Sequence, residues 1–124
     1  MDQEEWLPVP GFEPFYEVSD QGRVRRLYFL HFTAEGKEYW IPRYPYPRII
    51  KGRVDRFGYP ALALRKDHKI QYFRVHQLVA LAFIGPAPSS DHEIHHGDGS
   101  RSNNQASNLE WLTHKEHKQR HKKV

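Results

Sequence analysis

Cysteine and long apolar runs are both missing from this sequence. The absence of cysteine excludes a disulfide framework and every zinc site built on thiolates. No apolar stretch approaches the roughly 20 residues that a membrane span needs. The first residues carry acidic groups and lack the basic and apolar parts of a signal peptide, so we expect a soluble cytoplasmic protein.

What the sequence does contain is typical of a folded protein with an anionic partner. Of its 124 residues, 38% are hydrophobic and 14% aromatic, which favours a packed core over disorder. The formal net charge is +4, and a basic balance favours an anionic partner. Six of the nine histidines lie between His92 and His121, so a metal site has to be considered.

The first half of the chain predicts β-structure. Prolines and a glycine exclude a helix over residues 6–20, and residues 23–30 are strand-like. Residues 33–51, rich in Tyr, Pro and Arg, predict an irregular loop of extended character. Residues 59–65 and 70–75 predict a hairpin.

The second half predicts a helix and then a compact motif. Apolar residues at 75, 78, 79, 82 and 83 lie on one helical face. Strands are predicted at 93–96 and 108–112, followed by a basic helix over 115–123. Thr113 and Glu116 form a capping-box pattern at the start of that helix. The fold class is therefore α+β: an N-terminal β-rich lobe over 1–55, then a ββα-metal motif within 56–124.

The histidine spacing favours a metal centre. His117 and His121 would share one face of the helix, four residues apart. His95 and His96 are neighbours on a strand and must point to opposite sides. One of these two can bind metal with the helical pair while the other acts as a base, and the residues alone leave open which does what.

Three stretches carry a resemblance to a known family. Residues 94–113, IHHGDGSRSNNQASNLEWLT, and residues 73–84, FRVHQLVALAFI, resemble the HNH (His-Me finger) homing endonucleases of phages and mobile introns. Residues 6–27 resemble a modular motif found N-terminal to such nucleases, where contact with DNA is expected. Residues 28–55 match poorly.

The resemblance implies a role for each motif residue. His96 would be the general base and Asn108 would brace the loop that holds it. Many homing enzymes have Asp at the position before the base, whereas this chain has His95 there and so resembles the bacterial toxin nucleases called colicins. With His117 and His121, His95 would bind one divalent ion per active site. Imidazole ligands suit Zn, Ni, Co or Mn better than Mg, and the identity of the ion stays open.

The implied reaction is phosphodiester hydrolysis of double-stranded DNA, leaving 3′-hydroxyl and 5′-phosphate ends, in a bacterial or phage-infected cell. Because an imidazole base must be neutral and its ordinary pKa is about 6.5, we expect activity to fall below roughly pH 6. Basic residues on the first strands, the loop and the last helix are expected to contact DNA: Arg23, Arg25, Arg26, Arg101, Lys115, Lys118, Arg120 and Lys122.

Several alternatives stay open at this point. A homodimer would make double-strand breaks and a monomer would nick. Since the chain ends at Val124, no C-terminal DNA-reading domain is expected. A second alternative is a DNA-binding module that keeps the fold without catalysis. A third is a structural domain that zinc stabilises. His92 and His114 are interpreted as surface residues, His76 as a packing or capping residue, and Asn103 and Asn104 as loop formers.

Overall fold

The computed structural model describes residues 3–43 and 45–122, with side chains as far as Lys118. Its order of elements is strands first and helices late. The strands are β1 (Trp6–Pro8), β2 (Tyr16–Ser19), β3 (Val24–Arg26), β4 (Tyr28–Phe32), β5 (Glu38–Pro42), β6 (Arg48–Ile49), β7 (Arg53–Val54), β8 (Pro60–Lys66), β9 (Lys69–Arg74), β10 (His92–His96) and β11 (Leu109–Thr113), and the α-helices are α1 (Val75–Val79) and α2 (His114–Lys122).

The N-terminal lobe is an antiparallel sheet in the order β1-β2-β3-β6. Its inner face is apolar because side chains alternate along each strand, and Tyr16, Val18 and Val24 are nearly inaccessible to solvent. The Tyr16 hydroxyl accepts a hydrogen bond from the backbone N–H of Arg65, 3.0 Å away. The lobe is therefore fastened to the hairpin that follows it.

The prediction of an irregular loop over residues 33–51 was wrong. β4 and β5 form a hairpin across a turn, with Leu30 opposite Trp40. The Trp40 ring stacks on Phe15, with ring centroids 4.2 Å apart, so aromatic packing against the lobe stabilises a strand where the composition suggested a loop. Pro42 is tolerated because it lies at the end of the strand.

The predicted hairpin of residues 59–75 is confirmed as β8 and β9, joined to β7 in a three-stranded sheet. The helix predicted after it also forms, but only residues 75–79 are α-helical. Ala80–Ile84 form a π-helical turn, and Gly85 ends it with φ of 111°. Leu78, Val79 and Ala80 are fully buried, so the helix packs its apolar face inward as expected.

The C-terminal motif has the predicted strand, loop, strand and helix. β10 and β11 pair antiparallel, with His95 opposite Glu110 and His96 opposite Leu109. The capping box is confirmed: the Glu116 N–H donates to the Thr113 hydroxyl at 3.1 Å, and the Thr113 N–H donates to the Glu116 carboxylate at 3.0 Å. Helix α2 consequently begins directly after the second strand, with two backbone N–H groups at its start satisfied.

The core cluster joins the two halves of the chain. The lobe contributes Val9, Val18 and Val24, among others, and the second half of the chain contributes Leu62, Leu64, Val75, Leu78, Val79 and Leu109. The architecture is α+β, as predicted. Within residues 3–43 and 45–122, no helix is long and apolar enough to cross a membrane.

Candidate metal and catalytic centre

Strand β10 sends its last two histidines to opposite sides, as strand geometry requires. The His95 ring lies against the His117 ring of α2, with centroids 4.9 Å apart and planes at 69°. The His96 ring lies against His76 of α1, also 4.9 Å away. Both strand histidines are buried, with 8% and 7% of their surface exposed. Each side of the strand therefore has a pair of imidazoles: His95 with His117 of α2, and His96 with His76 of α1.

A buried hydrogen bond orients the His96 ring. Its Nε2 lies 2.8 Å from the side-chain oxygen of Asn104, which is itself only 5% exposed. Since an amide oxygen can only accept, this contact matches a neutral ring whose proton is on Nε2 and whose lone pair is on Nδ1. The sequence reasoning interpreted Asn104 as a loop former and missed this contact. No local pattern distinguishes it from Asn103 beside it.

Asn108 fastens the turn that follows His96. Its side-chain oxygen accepts from the Asp98 N–H at 3.1 Å, and its side-chain nitrogen donates to the Asp98 carboxylate at 3.0 Å. The same nitrogen also donates to the Asn103 carbonyl at 2.9 Å. Hydrogen bonds from Asn103, Ser100 and Asn108 lower the pKa of Asp98 to about 2, so this carboxylate stays charged.

The N-terminal lobe supports the same loop. The Ala106 N–H donates to the Asp20 carbonyl at 2.8 Å. Gly22 has a φ of 86°, and a Cβ added there would lie 3.1 Å from the Asn104 carbonyl oxygen. The turn at 20–22 thus approaches the backbone of Asn104 at a distance that only glycine permits without adjustment.

His76 was interpreted from the sequence as a packing or capping residue, and the structure places it beside His96. It is 7% exposed, and its Nδ1 is buried without a hydrogen-bond partner in the described part of the chain. Burial, with smaller contributions from His96 and Arg74, lowers its pKa to about 4. The Tyr59 ring lies 5.1 Å from His76 and 6.1 Å from His96, so one aromatic ring packs beside both imidazoles.

The His117 side of the strand has a carboxylate partner. Glu93, two residues before His95 and therefore on the same strand face, has a carboxylate oxygen in contact with His117 Nδ1. A carboxylate at one ring nitrogen of a metal-binding histidine fixes the tautomer, and the ion is then bound by the other nitrogen. Glu93 was not among the predicted functional residues, although its position at alternate spacing to His95 was visible in the sequence.

A groove of about 750 Å³ runs beside these residues. It lies between the hairpin with α1 on one side and the ββα motif on the other. Its walls include Tyr59, Arg74, His76, Glu93, Trp111 and His117. Polar and aromatic groups from both sides therefore meet in one opening.

The predicted DNA-contacting residues lie in different surroundings. Arg101 contacts the Phe57 carbonyl and lies over the Tyr59 ring, 4.9 Å from its centroid, at the edge of the candidate centre. Lys115 and Lys118 are exposed on α2. Arg23 and Arg25 form ion pairs with glutamates, whereas none is found for Arg26 among the described side chains. The side chains of Arg120, His121 and Lys122 lie outside the described residues.

Comparison with known families identifies the class of protein. Residues 73–119 match the HNH endonuclease family, and residues 4–65 match the NUMOD4 motif. The chain therefore belongs to the HNH endonucleases that carry an N-terminal NUMOD4 motif. The NUMOD4 match includes residues 28–55, where the resemblance read from the sequence was weak.

Individual relatives agree with this assignment. The chain is 31% identical over 111 residues to the DNA endonuclease I-HmuI of Bacillus phage SP01, covering 90% of this chain and 53% of that protein. A solved structure described as DNA binding and cleavage by I-HmuI superposes with a TM-score of 0.72 at 28% identity, covering 95% of this chain and 57% of that one. The uncharacterized HNH endonuclease L245 of Acanthamoeba polyphaga mimivirus is 34% identical, with 89% and 27% covered. The chain thus spans about half the length of I-HmuI.

HNH endonucleases generally use a divalent metal ion, and the residues can be tested for their fit to one. His95 and His117 are close enough to share an ion, and nitrogen donors suit the borderline metals. Among the residues whose side chains are described, no group of three His, Asp or Glu meets the geometry of a metal site. The pair fits as part of a site, and its third predicted member, His121, lies outside the described side chains.

Proposed function

We propose that this protein is an endonuclease that hydrolyses phosphodiester bonds of duplex DNA with His96 as the general base. The observation that carries the proposal is that the two adjacent histidines of β10 point to opposite sides: His95 lies against the helical imidazole of His117, while His96 is held by the buried amide of Asn104. A hydrolase that uses one metal ion needs both arrangements side by side.

The proposed role of His96 follows from its hydrogen bond. With Nε2 donating to Asn104, the lone pair on Nδ1 is available to take a proton from the attacking water. Asn108 acts one step further away, by holding the turn at residues 97–99 in place. Asn104 is thus proposed as the residue that orients the base, and Asn108 as the brace of its loop.

The proposed metal ligands are His95 and His117, with His121 retained as the third from the spacing. Glu93 is proposed to orient the His117 ring by accepting at Nδ1, which would make Nε2 the nitrogen that binds the ion. When bound, one divalent ion supplies electrostatic stabilisation to the phosphate and to the departing 3′ oxygen. The residues leave its identity open among Zn, Ni, Mn, Co and Mg.

Contact with DNA is proposed to involve the basic residues near the centre. Arg101, Lys115 and Lys118 are exposed, so they can approach phosphates on either side of the bond that is cut. I-HmuI, a phage enzyme, is described as binding and cleaving DNA, which supports duplex DNA as the substrate and a phage-infected cell as the setting.

The test is cleavage of supercoiled plasmid by wild type, by His96→Ala and by the control His31→Ala. His31 is exposed on β4, so its removal alters one imidazole without touching the centre. Mg, Mn, Co, Ni, Zn and EDTA are compared in parallel. We expect metal-dependent conversion of the plasmid by wild type and His31→Ala, with loss of activity in His96→Ala while metal binding persists.

Other outcomes would assign the protein differently. Binding of DNA without cleavage under any metal would favour a DNA-binding module that has lost catalysis. Unfolding on metal removal, with His96→Ala indistinguishable from wild type, would favour a zinc-stabilised structural domain. The ratio of nicked to linear product, compared with the mass in solution, separates a nicking monomer from a homodimer that cuts both strands.

A further inference from the structure

Three arginines lie on β3 or immediately before it: Arg23, Arg25 and Arg26. Their surroundings differ. Arg23 Nε donates to Glu4 at 2.9 Å, and Arg25 donates twice to Glu17, at 2.8 and 2.6 Å. Both guanidinium groups also lie over the Trp6 ring. Their charges are therefore matched within the lobe, and neither needs a ligand to complete its contacts.

Arg26 is different. It points to the opposite side of the sheet from Arg25, and its Nε is buried without a hydrogen-bond partner in the described residues. A buried donor without a partner is uncommon in folded proteins and usually indicates a water, an ion or a ligand. The atom belongs to a permanently charged group, which makes an anion the matching ligand.

A second observation comes from the pairing of β3 with β6. Arg26 lies directly opposite Arg48, so two positive side chains face each other on the same side of the sheet. Like charges at directly opposed positions destabilise a sheet unless something offsets them. Lys51 lines the same cleft, which has a volume of about 480 Å³. Ile49 and Ile50 complete its described lining, and none of these five residues is acidic.

We propose that Arg26, Arg48 and Lys51 form a binding site for a backbone phosphate of DNA, separate from the candidate catalytic centre. The proposal rests on the proposed function in taking duplex DNA as the substrate. Two guanidinium groups and an ammonium group offer planar and point-charge donors to the same oxygens, which is the chemistry by which proteins hold phosphates. A second, remote phosphate contact would fix how the N-terminal lobe lies on the duplex.

The test measures how DNA affinity depends on salt. A fluorescently labelled duplex is titrated in the His96→Ala background, with the divalent ion present so that binding is observed without cleavage. Arg48→Gln is compared with Lys69→Gln, which removes the same charge at the far end of hairpin β8–β9. Both side chains belong to exposed residues, so neither change should disturb folding. Arg26→Met, which keeps an apolar stem, is the second variant of the cleft.

The logarithm of DNA affinity falls linearly with the logarithm of salt concentration, and removing one phosphate contact makes this negative slope shallower by about 0.9. At 0.1 M salt, the change corresponds to about eightfold weaker binding. We expect this change for Arg48→Gln and Arg26→Met, and the parent slope for Lys69→Gln. Parent slopes for both cleft variants would overturn the proposal. Saturable binding of inorganic phosphate that Arg48→Gln abolishes, with an unchanged DNA slope, would overturn it in favour of a free anion.

Failure of the proposed function gives a different pattern. Cleavage is scored separately on the wild-type chain, which retains His96. A wild type that binds the duplex but cuts nothing overturns the hydrolysis, while a reduced slope in the cleft variants still supports the phosphate site. A wild type whose duplex binding does not depend on salt overturns the phosphate site, whether or not the protein cuts DNA.

Discussion

Removal of the Asn104 side chain should reduce cleavage more than it reduces folding or DNA binding. In Asn104→Ala, the His96 Nε2–H loses its acceptor at 2.8 Å in a position shielded from water. The ring is then free to rotate or to change tautomer, and the orientation with Nδ1 toward the substrate is no longer favoured. The proton-accepting role proposed for His96 depends on that orientation.

The size of the effect follows from the burial of the pair. A buried donor left without a partner costs about 1–3 kcal/mol. If this free energy is what holds the ring in the productive state, the cleavage rate falls by about 5- to 150-fold, since 1.4 kcal/mol corresponds to a factor of ten. The free energy of unfolding should fall by a similar amount, about 1–3 kcal/mol.

The assay is single-turnover cleavage of a duplex, measured together with metal affinity, DNA affinity and urea denaturation. The matched control is Asn103→Ala, which removes the same amide one residue earlier, where it donates to Asp98 and has no hydrogen bond to His96 among the described residues. Metal affinity should be unchanged in both variants because His95 and His117 lie on the other side of β10. DNA affinity should also be unchanged.

The reasoning would be refuted by a folded Asn104→Ala protein that cleaves at the wild-type rate. It would be refuted equally if Asn103→Ala lost as much activity at equal stability, because the effect would then come from the loop as a whole.

Three further predictions rest on separate contacts. Glu93→Gln should weaken metal binding by about 10- to 100-fold in calorimetry, since it removes the carboxylate that orients His117, whereas unchanged affinity would exclude that role. Gly22→Ala should lower the free energy of unfolding by at least about 1–2 kcal/mol in urea, because alanine at positive φ is strained and its Cβ would crowd Asn104; wild-type stability would contradict this. The pKa of about 4 at His76 lies below the value of about 6.5 in an unfolded chain, so the unfolded state takes up a proton that the folded state does not. Stability should therefore fall as the pH falls from about 6.5 to 4, and His76→Gln should flatten that dependence; identical urea midpoints of the two proteins at every pH would count against it.

Much of the fold could be predicted because its signals are local. The β8–β9 hairpin, the capping box of Thr113 and the opposite directions of His95 and His96 all follow from residue spacing along a few positions. Such features depend on the period of a strand or helix and on turn chemistry, and they do not require knowledge of the neighbouring elements. Strands β5 and β6 both lie where the composition predicted a loop, and β5 is stabilised by the packing of Trp40 on Phe15, a residue 25 positions earlier.

The sequence by itself determined the class of protein and the position of the histidine cluster. It also determined that, of His95 and His96, one can bind metal while the other acts as a base. Only the tertiary structure decided which partners those histidines have. Asn104, and not its neighbour Asn103, bonds to His96, and the lobe turn at Gly22 lies against the backbone of Asn104. The same holds for Arg26, whose difference from Arg23 and Arg25 depends on the acids and arginines that other strands bring beside it. Contacts between residues far apart in the chain are fixed by packing, which no local pattern encodes.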